Sequence, residues 1–179
     1  MIVGCCALAG RTGHAAGRQL LERLYREETG QPLPGILISV RGKPYFEAAP
    51  YHFSISHTAR HAFCALSRRP VGIDAEELDR AVRFSLAGRI MSPRELARFQ
   101  AAADPQRAFL ALWVLKEATA KCTGAGLTGF PNSTDFSPDD PRVFTWQGCL
   151  VAVVGQEDAT EGMILQDFCS PRPPGRPGL

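Results

Sequence analysis

Val71-Gly72-Ile73-Asp74-Ala75-Glu76 is the run on which the reading of this chain turns. It begins as an apolar, β-branched strand and ends in two carboxylates separated by one residue. In an extended strand alternate side chains share a face, so Asp74 and Glu76 point the same way with Cα atoms roughly 6–7 Å apart. Two carboxylates so placed can converge on one hard divalent cation, which prefers oxygen ligands. For an isolated pair the plainer reading, an acidic strand end running into a solvated loop, is the commoner one. The rest of the chain decides between the two.

The chain has 179 residues, 45% hydrophobic and 21% charged. That suits an ordinary globular protein of one domain, or of two small halves sharing a core. A net charge of +2 and a pI near 8.3 are too mild to imply nucleic-acid binding. Charge is unevenly spread: arginines gather between Arg80 and Arg107, acids around Glu76-Glu77 and from Asp135 to Asp140. This is either a basic face for an acidic partner or a solvated helix surface. The six cysteines form no C-x-x-C pair and no Cys/His cluster with zinc spacing. Met1 to Gly10 is apolar but lacks a basic leader, and no stretch is long enough to span a bilayer. Reduced thiols and a cytoplasmic location, away from membranes, are the expectation.

Along the chain, Ile2 to Leu8 reads as a first strand, and Leu20, Leu21, Leu24 and Tyr25 recur at helical spacing before a stop at Gly30. Ile36 to Val40 and Phe53 to Ser56 read as strands. His61 to Leu66 and Val71 to Asp74 look like a pair around an Arg68-Arg69-Pro70 turn. Ser92-Pro93-Arg94-Glu95 fits a capping box with proline at the first helical position. Asp104-Pro105 starts a longer helix from Gln106 to about Cys122, stopped by Gly124-Ala125-Gly126. Pro131 to Pro141 is a turn-rich acidic loop. Val143 to Trp146, Cys149 to Val154 and Met163 to Phe168 read as a C-terminal antiparallel segment, and 170–179 as a disordered tail. Strands and helices in this order predict an α+β fold. Boundaries fall at 1–70 for an N-terminal half and 71–169 for a C-terminal half carrying the carboxylates. No phosphate-binding G-x-x-x-x-G-K-[ST] or G-x-G-x-x-G is present.

Two further clusters carry chemistry. Trp113, Glu117 and Lys121 fall at successive i, i+4 steps and form one helical stripe. An exposed Glu-to-Lys pair would explain the last two, but a tryptophan on the same stripe would half-bury them, and ionisable groups held against buried surface are more often functional. Ser54-Ile55-Ser56-His57 places hydroxyls and an imidazole at a strand end. Alone, His57 is a half-buried histidine and Lys43 in Gly42-Lys43-Pro44 a surface lysine.

In combination and in order, Gly42-Lys43-Pro44, Phe53 to His57, Val71 to Glu76, and Trp113 through Lys116-Glu117-Ala118 to Lys121 resemble the 4'-phosphopantetheinyl transferases. The likeness is to the larger, single-chain kind that activates peptide synthetases. Gly124-Ala125-Gly126-Leu127 also fits, and the match runs from about His14 to Phe168. Each motif is weak alone; four in order are specific.

The resemblance implies two similar α+β halves related by a pseudo-two-fold axis, with the first half truncated because the chain begins close to its first helix. It implies Mg²⁺ (or Mn²⁺) held by Asp74, Glu76 and Glu117, with Glu117 also a candidate general base. Lys121 would lie near the reacting phosphates, Ser56 and His57 at the coenzyme A phosphates, and Lys43 at the adenosine 3'-phosphate. Arg11 and Arg18 are the basic residues nearest to replace contacts that the short first half lacks. The implied reaction moves the phosphopantetheine arm of coenzyme A onto a serine of an acyl or peptidyl carrier protein. The alternative is a non-catalytic relative that binds coenzyme A or the carrier. An acidic carrier would meet the Arg80 to Phe99 segment, with Arg89, Met91 and Arg94 as contacts, unless these arginines only solubilise a helix while Met91 fills the core.

Overall fold

Alternation along the longer strands decides which faces are buried, and this sorts the elements into layers. The computed structural model describes residues 1–126, 133–155 and 162–169. Strand β1 (Ile2–Ala7) leads into α1 (Gly13–Thr29), followed by β2 (Ile36–Ile38), β3 (Pro44–Phe46), β4 (His52–His57), β5 (His61–Ser67) and β6 (Val71–Glu77). A 3-10 turn (Phe84–Leu86) and α2 (Ala87–Ile90) precede α3 (Pro93–Gln100) and α4 (Pro105–Thr123). Strands β7 (Val143–Trp146), β8 (Cys149–Gly155) and β9 (Ile164–Asp167) complete the chain. Strand order is β4-β5-β1-β9 in one sheet and β6-β8-β7 in another, with β2-β3 as a separate hairpin.

The two larger sheets stack face to face. Val3, Cys5, Phe63 and Ala65 of the first meet Val71, Ile73, Ala75, Cys149, Val151 and Val153 of the second. The outer face of the first sheet is covered by α1 through Leu20, Leu21 and Leu24. The outer face of the second is covered by α4 through Val114, Leu115, Ala118 and Cys122. On β6 the odd residues therefore enter the core between the sheets, and Gly72, Asp74 and Glu76 face α4.

Gly72 makes that packing close: a Cβ there would stand 1.9 Å from the Ala118 carbonyl oxygen and 2.5 Å from the Cys122 nitrogen. Gly72→Ala should push α4 off β6 and cost about 1–3 kcal/mol, the range for overpacking a tight core. A denaturant midpoint equal to that of the parent chain would show that α4 does not bear on β6 in this way.

The helix ends follow their sequence signals. Thr12 caps α1 by accepting from the Ala15 N–H, and Gly30 closes it in the left-handed region at φ 70°. Ser92 and Glu95 form the expected reciprocal capping box, with Pro93 at the first turn. Asp104 caps α4, and Gly124 ends it.

Two pairings differ from the sequence reading. Strands β5 and β6 do not form a hairpin: β5 is hydrogen-bonded on both edges, by β1 and β4, so the Arg68-Arg69-Pro70 turn carries the chain across to the second sheet. Strand β9 does not extend the C-terminal antiparallel group. Strand β8 already has β6 and β7 on its two edges, and β9 pairs in parallel with the free edge of β1. Ile164–Asp167 thus returns to the first sheet. The 170–179 tail, Leu127 and Pro131 lie outside the described residues. No described helix is long and apolar enough to cross a membrane.

Candidate active site

The α4-facing side of β6 brings the three sequence clusters together. Ser56, His57, Asp74, Glu76, Trp113, Glu117 and Lys121 line one cleft of about 300 Å³. The same-face placement of Asp74 and Glu76 and the helical stripe of Trp113, Glu117 and Lys121 are both as the spacing predicts. A second cleft of about 310 Å³ adjoins it, sharing Ile55, Glu117 and Lys121 and extending to Arg41, Lys43 and Phe53.

Asp74 is nearly buried at 6% exposure, and its Oδ1 accepts from the Lys121 ammonium at 2.7 Å and from the Ser56 hydroxyl at 2.8 Å. Glu76 is ion-paired with Arg80. Glu117 is pushed above the usual carboxylate range, first by burial and then by the Asp74 charge, with Lys121 opposing. Burial pushes the Lys43 ammonium below its usual range, while its Nζ donates to the Cys122 carbonyl at 2.6 Å, near the C-terminal end of α4. His57 is exposed and sits over Gly13, where a Cβ would come 2.3 Å from the ring. Only glycine lets the first turn of α1 approach the imidazole this closely.

Among the described residues no three Asp, Glu, His or Cys side chains are grouped to hold a metal ion as they stand. Lys121 and Arg80 are ion-paired with the two β6 carboxylates. The donor set nevertheless fits a metal ion. Three carboxylates face one cleft, and the Asp74 repulsion that adds to burial in raising Glu117 is a potential a hard divalent ion relieves.

Several residues singled out from the sequence land elsewhere in character. Ser56 is 6% exposed, with its hydroxyl engaged by Asp74 and by the Ala75 N–H. Met91 is 3% exposed and packs with Phe99, Phe109 and Leu112, so it fills the core and is not a surface contact. The exposed apolar side chains of that region are Phe84 at 46% and Leu86 at 37%. Arg94 is exposed but paired with Asp135. Arg89 is exposed. Arg11 donates to the Leu8 and Ala7 carbonyls and to Gln19, which ties it to the turn before α1. Sequence reasoning placed Arg80 in the carrier-facing segment but not beside Glu76, and it passed over Arg41. Neither lies on a periodic element, so no spacing pointed to them.

Residues 70–150 match the family model of the 4'-phosphopantetheinyl transferase superfamily, which bears out the resemblance drawn from the sequence. Among individual relatives, the chain is 36% identical over 117 residues to a 4'-phosphopantetheinyl transferase of Bacillus subtilis, covering 63% of this chain and 52% of the relative. It is 32% identical over 117 residues to the 4'-phosphopantetheinyl transferase psf-1 of Bacillus pumilus, covering 63% and 50%. Against 4'-phosphopantetheinyl transferase Sfp of Bacillus subtilis strain 168 it is 34% identical over 90 residues, covering 49% and 40%. The chain spans about half the length of the curated relatives it matches.

Proposed function

We propose that this chain transfers the 4'-phosphopantetheine arm of coenzyme A to a serine hydroxyl of an acyl or peptidyl carrier protein, releasing 3',5'-ADP. The observation that carries the reading is the convergence of Asp74, Glu76, Glu117 and Lys121 on one cleft, within the segment matched to the superfamily. Asp74, Glu76 and Glu117 would hold Mg²⁺, or Mn²⁺ in its place. When bound, the ion supplies neutralisation of the pyrophosphate charge. Attack on the β-phosphorus asks for alignment and charge stabilisation more than covalent help from the protein.

The chain's own residues supply the rest. Glu117 accepts the proton of the serine hydroxyl at a carboxylate oxygen as attack develops. Lys121 and His57 stabilise the charge left on 3',5'-ADP. Lys43 and Arg41 in the adjoining cleft suit the adenosine 3'-phosphate, since their cationic heads offer charge-assisted bonds. The two stacked sheets, each backed by one long helix, support the reading of two similar halves with the site between them. Phe84 and Leu86, flanked in sequence by Arg80, Arg83 and Arg89, are the apolar centre and basic rim that an acidic carrier would meet.

The coenzyme A half of the reading has a direct test. Lys43→Ala and His57→Ala should each raise the dissociation constant for coenzyme A by about 10- to 100-fold, the loss of one charge-assisted phosphate bond. Dephospho-coenzyme A should bind the variants as it binds the parent. Equal losses for both ligands in calorimetry would remove Lys43 and His57 from the 3'-phosphate.

A further inference from the structure

Among the described residues β4 pairs with β5 alone and β6 with β8 alone, so both are edge strands. The two edges abut where the sheets stack, yet no ladder joins them. Coplanar strands would stand about 4.8 Å apart for direct N–H···O=C bonds, and strands of two stacked sheets do not share a plane. The N–H groups on this edge of β6 would therefore be buried without acceptors, which is costly.

Two serine hydroxyls meet them instead. The Ile73 N–H donates to Ser54 Oγ at 3.1 Å, and the Ala75 N–H donates to Ser56 Oγ at 3.3 Å. Both serines are 6% exposed. The alternation of Ser54 and Ser56 on β4 matches that of Ile73 and Ala75 on β6, so side chains take the place of one strand's carbonyls. Lys121 completes the joint by donating to the Ile55 carbonyl at 3.4 Å and the Ile73 carbonyl at 3.2 Å, one from each strand. The Ser56 hydroxyl proton and the Lys121 ammonium both fall on Asp74 Oδ1. Among the described residues no donor falls on Oδ2.

We infer that Ser54 and Ser56 are positioning residues: they splice β6 to β4 in place of a ladder, and Ser56 in addition fixes the Asp74 carboxylate in the orientation that receives the divalent ion. Ser56 thus acts through Asp74 and not as a contact to the coenzyme A phosphates. The inference rests on the proposed function only for the presence of the ion, because the splice itself is made of bonds within the chain.

The two serines differ in one respect, and the test uses it: both bond β6 backbone, but only Ser56 touches Asp74. Amide hydrogen exchange is read by NMR, and binding of Mn²⁺ alone by its paramagnetic signal, on the full chain. In Ser56→Ala the Ala75 amide should exchange about tenfold faster or more, and the Mn²⁺ dissociation constant should rise about tenfold, the loss of one hydrogen bond to a charged group. In Ser54→Ala the Ile73 amide should exchange faster by a similar factor while Mn²⁺ affinity stays within about twofold. Ser56→Thr, which keeps the hydroxyl, should restore both readings. If Ser56→Ala does not fold, Ser56→Cys, with a weaker donor and acceptor of similar size, should give the same ordering.

Unchanged Ala75 protection in the Ser56 variant would overturn the splice. Equal weakening of Mn²⁺ by both alanine variants, no weakening by either, or failure of the parent chain to bind Mn²⁺ would overturn the positioning of Asp74. Transfer of phosphopantetheine is not read, so a chain that shows the splice and its Mn²⁺ dependence but transfers nothing would overturn the proposed function and leave this inference in place.

Discussion

Glu95→Ala should lower the unfolding free energy by about 3–5 kcal/mol, the range for removing one member of a buried ion pair. Glu95 is 0% and Lys116 2% exposed, and their charged atoms meet at 2.7 Å. Glu95 also accepts from the Ser92 and Phe136 N–H groups and from the Thr134 hydroxyl, so one carboxylate ties α3, the loop at 134–136 and α4 together. Alanine would leave the Lys116 ammonium buried without its carboxylate, with the Thr134 hydroxyl and the Phe136 ring beside it. Burial alone would push the Glu95 carboxyl up, but Lys116, the two backbone donors and Thr134 together hold it below the ordinary range. Its contribution is therefore complete above the unfolded glutamate value of about 4.3 and is lost as pH falls through the lower folded value. Urea unfolding should show the parent losing stability over that acid window and Glu95→Gln losing less of it. A Glu95→Ala midpoint close to that of the parent at pH 7 would contradict the account of this pair.

Asp74→Ala and Glu117→Gln should each reduce phosphopantetheine transfer by about 10²- to 10⁴-fold, the range for removing a positioned acid–base or charge-bearing group. Glu117 projects from α4 into the cleft, and glutamine keeps its volume, so the unfolding midpoint should hardly move. Asp74 also anchors Lys121, so its removal should lower the midpoint measurably as well as the rate. Steady-state rates within threefold of the parent for either variant would remove that carboxylate from the reaction.

How far the sequence could be read depended on whether a signal was local. Ser92-Pro93-Arg94-Glu95 and Asp104-Pro105 state their helix starts in four residues, and both starts are found. The alternation of Asp74 with Glu76 and the i, i+4 stripe of Trp113, Glu117 and Lys121 are properties of a single element, so cleft and residues agree. Edge choice is not local. Nothing in Val71 to Glu76 says that β5 has no edge left to offer, and nothing in Ile164 to Asp167 says that β1 has one free. Glu95 was legible as a cap but not as the buried partner of Lys116, because the two are brought together only when α3 packs on α4. Met91 was open to a surface or a core reading for the same reason. Ser56 stood out in the sequence as a hydroxyl at a strand end, but its bonds to Ala75 and Asp74 depend on how two sheets meet.

The most direct measurement of the central claim is the intact mass of an apo carrier protein after incubation with this chain, coenzyme A and Mg²⁺. The account predicts that the carrier gains one phosphopantetheine arm on its serine, that 3',5'-ADP appears in equal amount, and that chelator or Asp74→Ala abolishes both. A chain that binds coenzyme A or the carrier while the carrier mass stays unchanged would contradict it and would mark this protein as a binding relative without transferase chemistry.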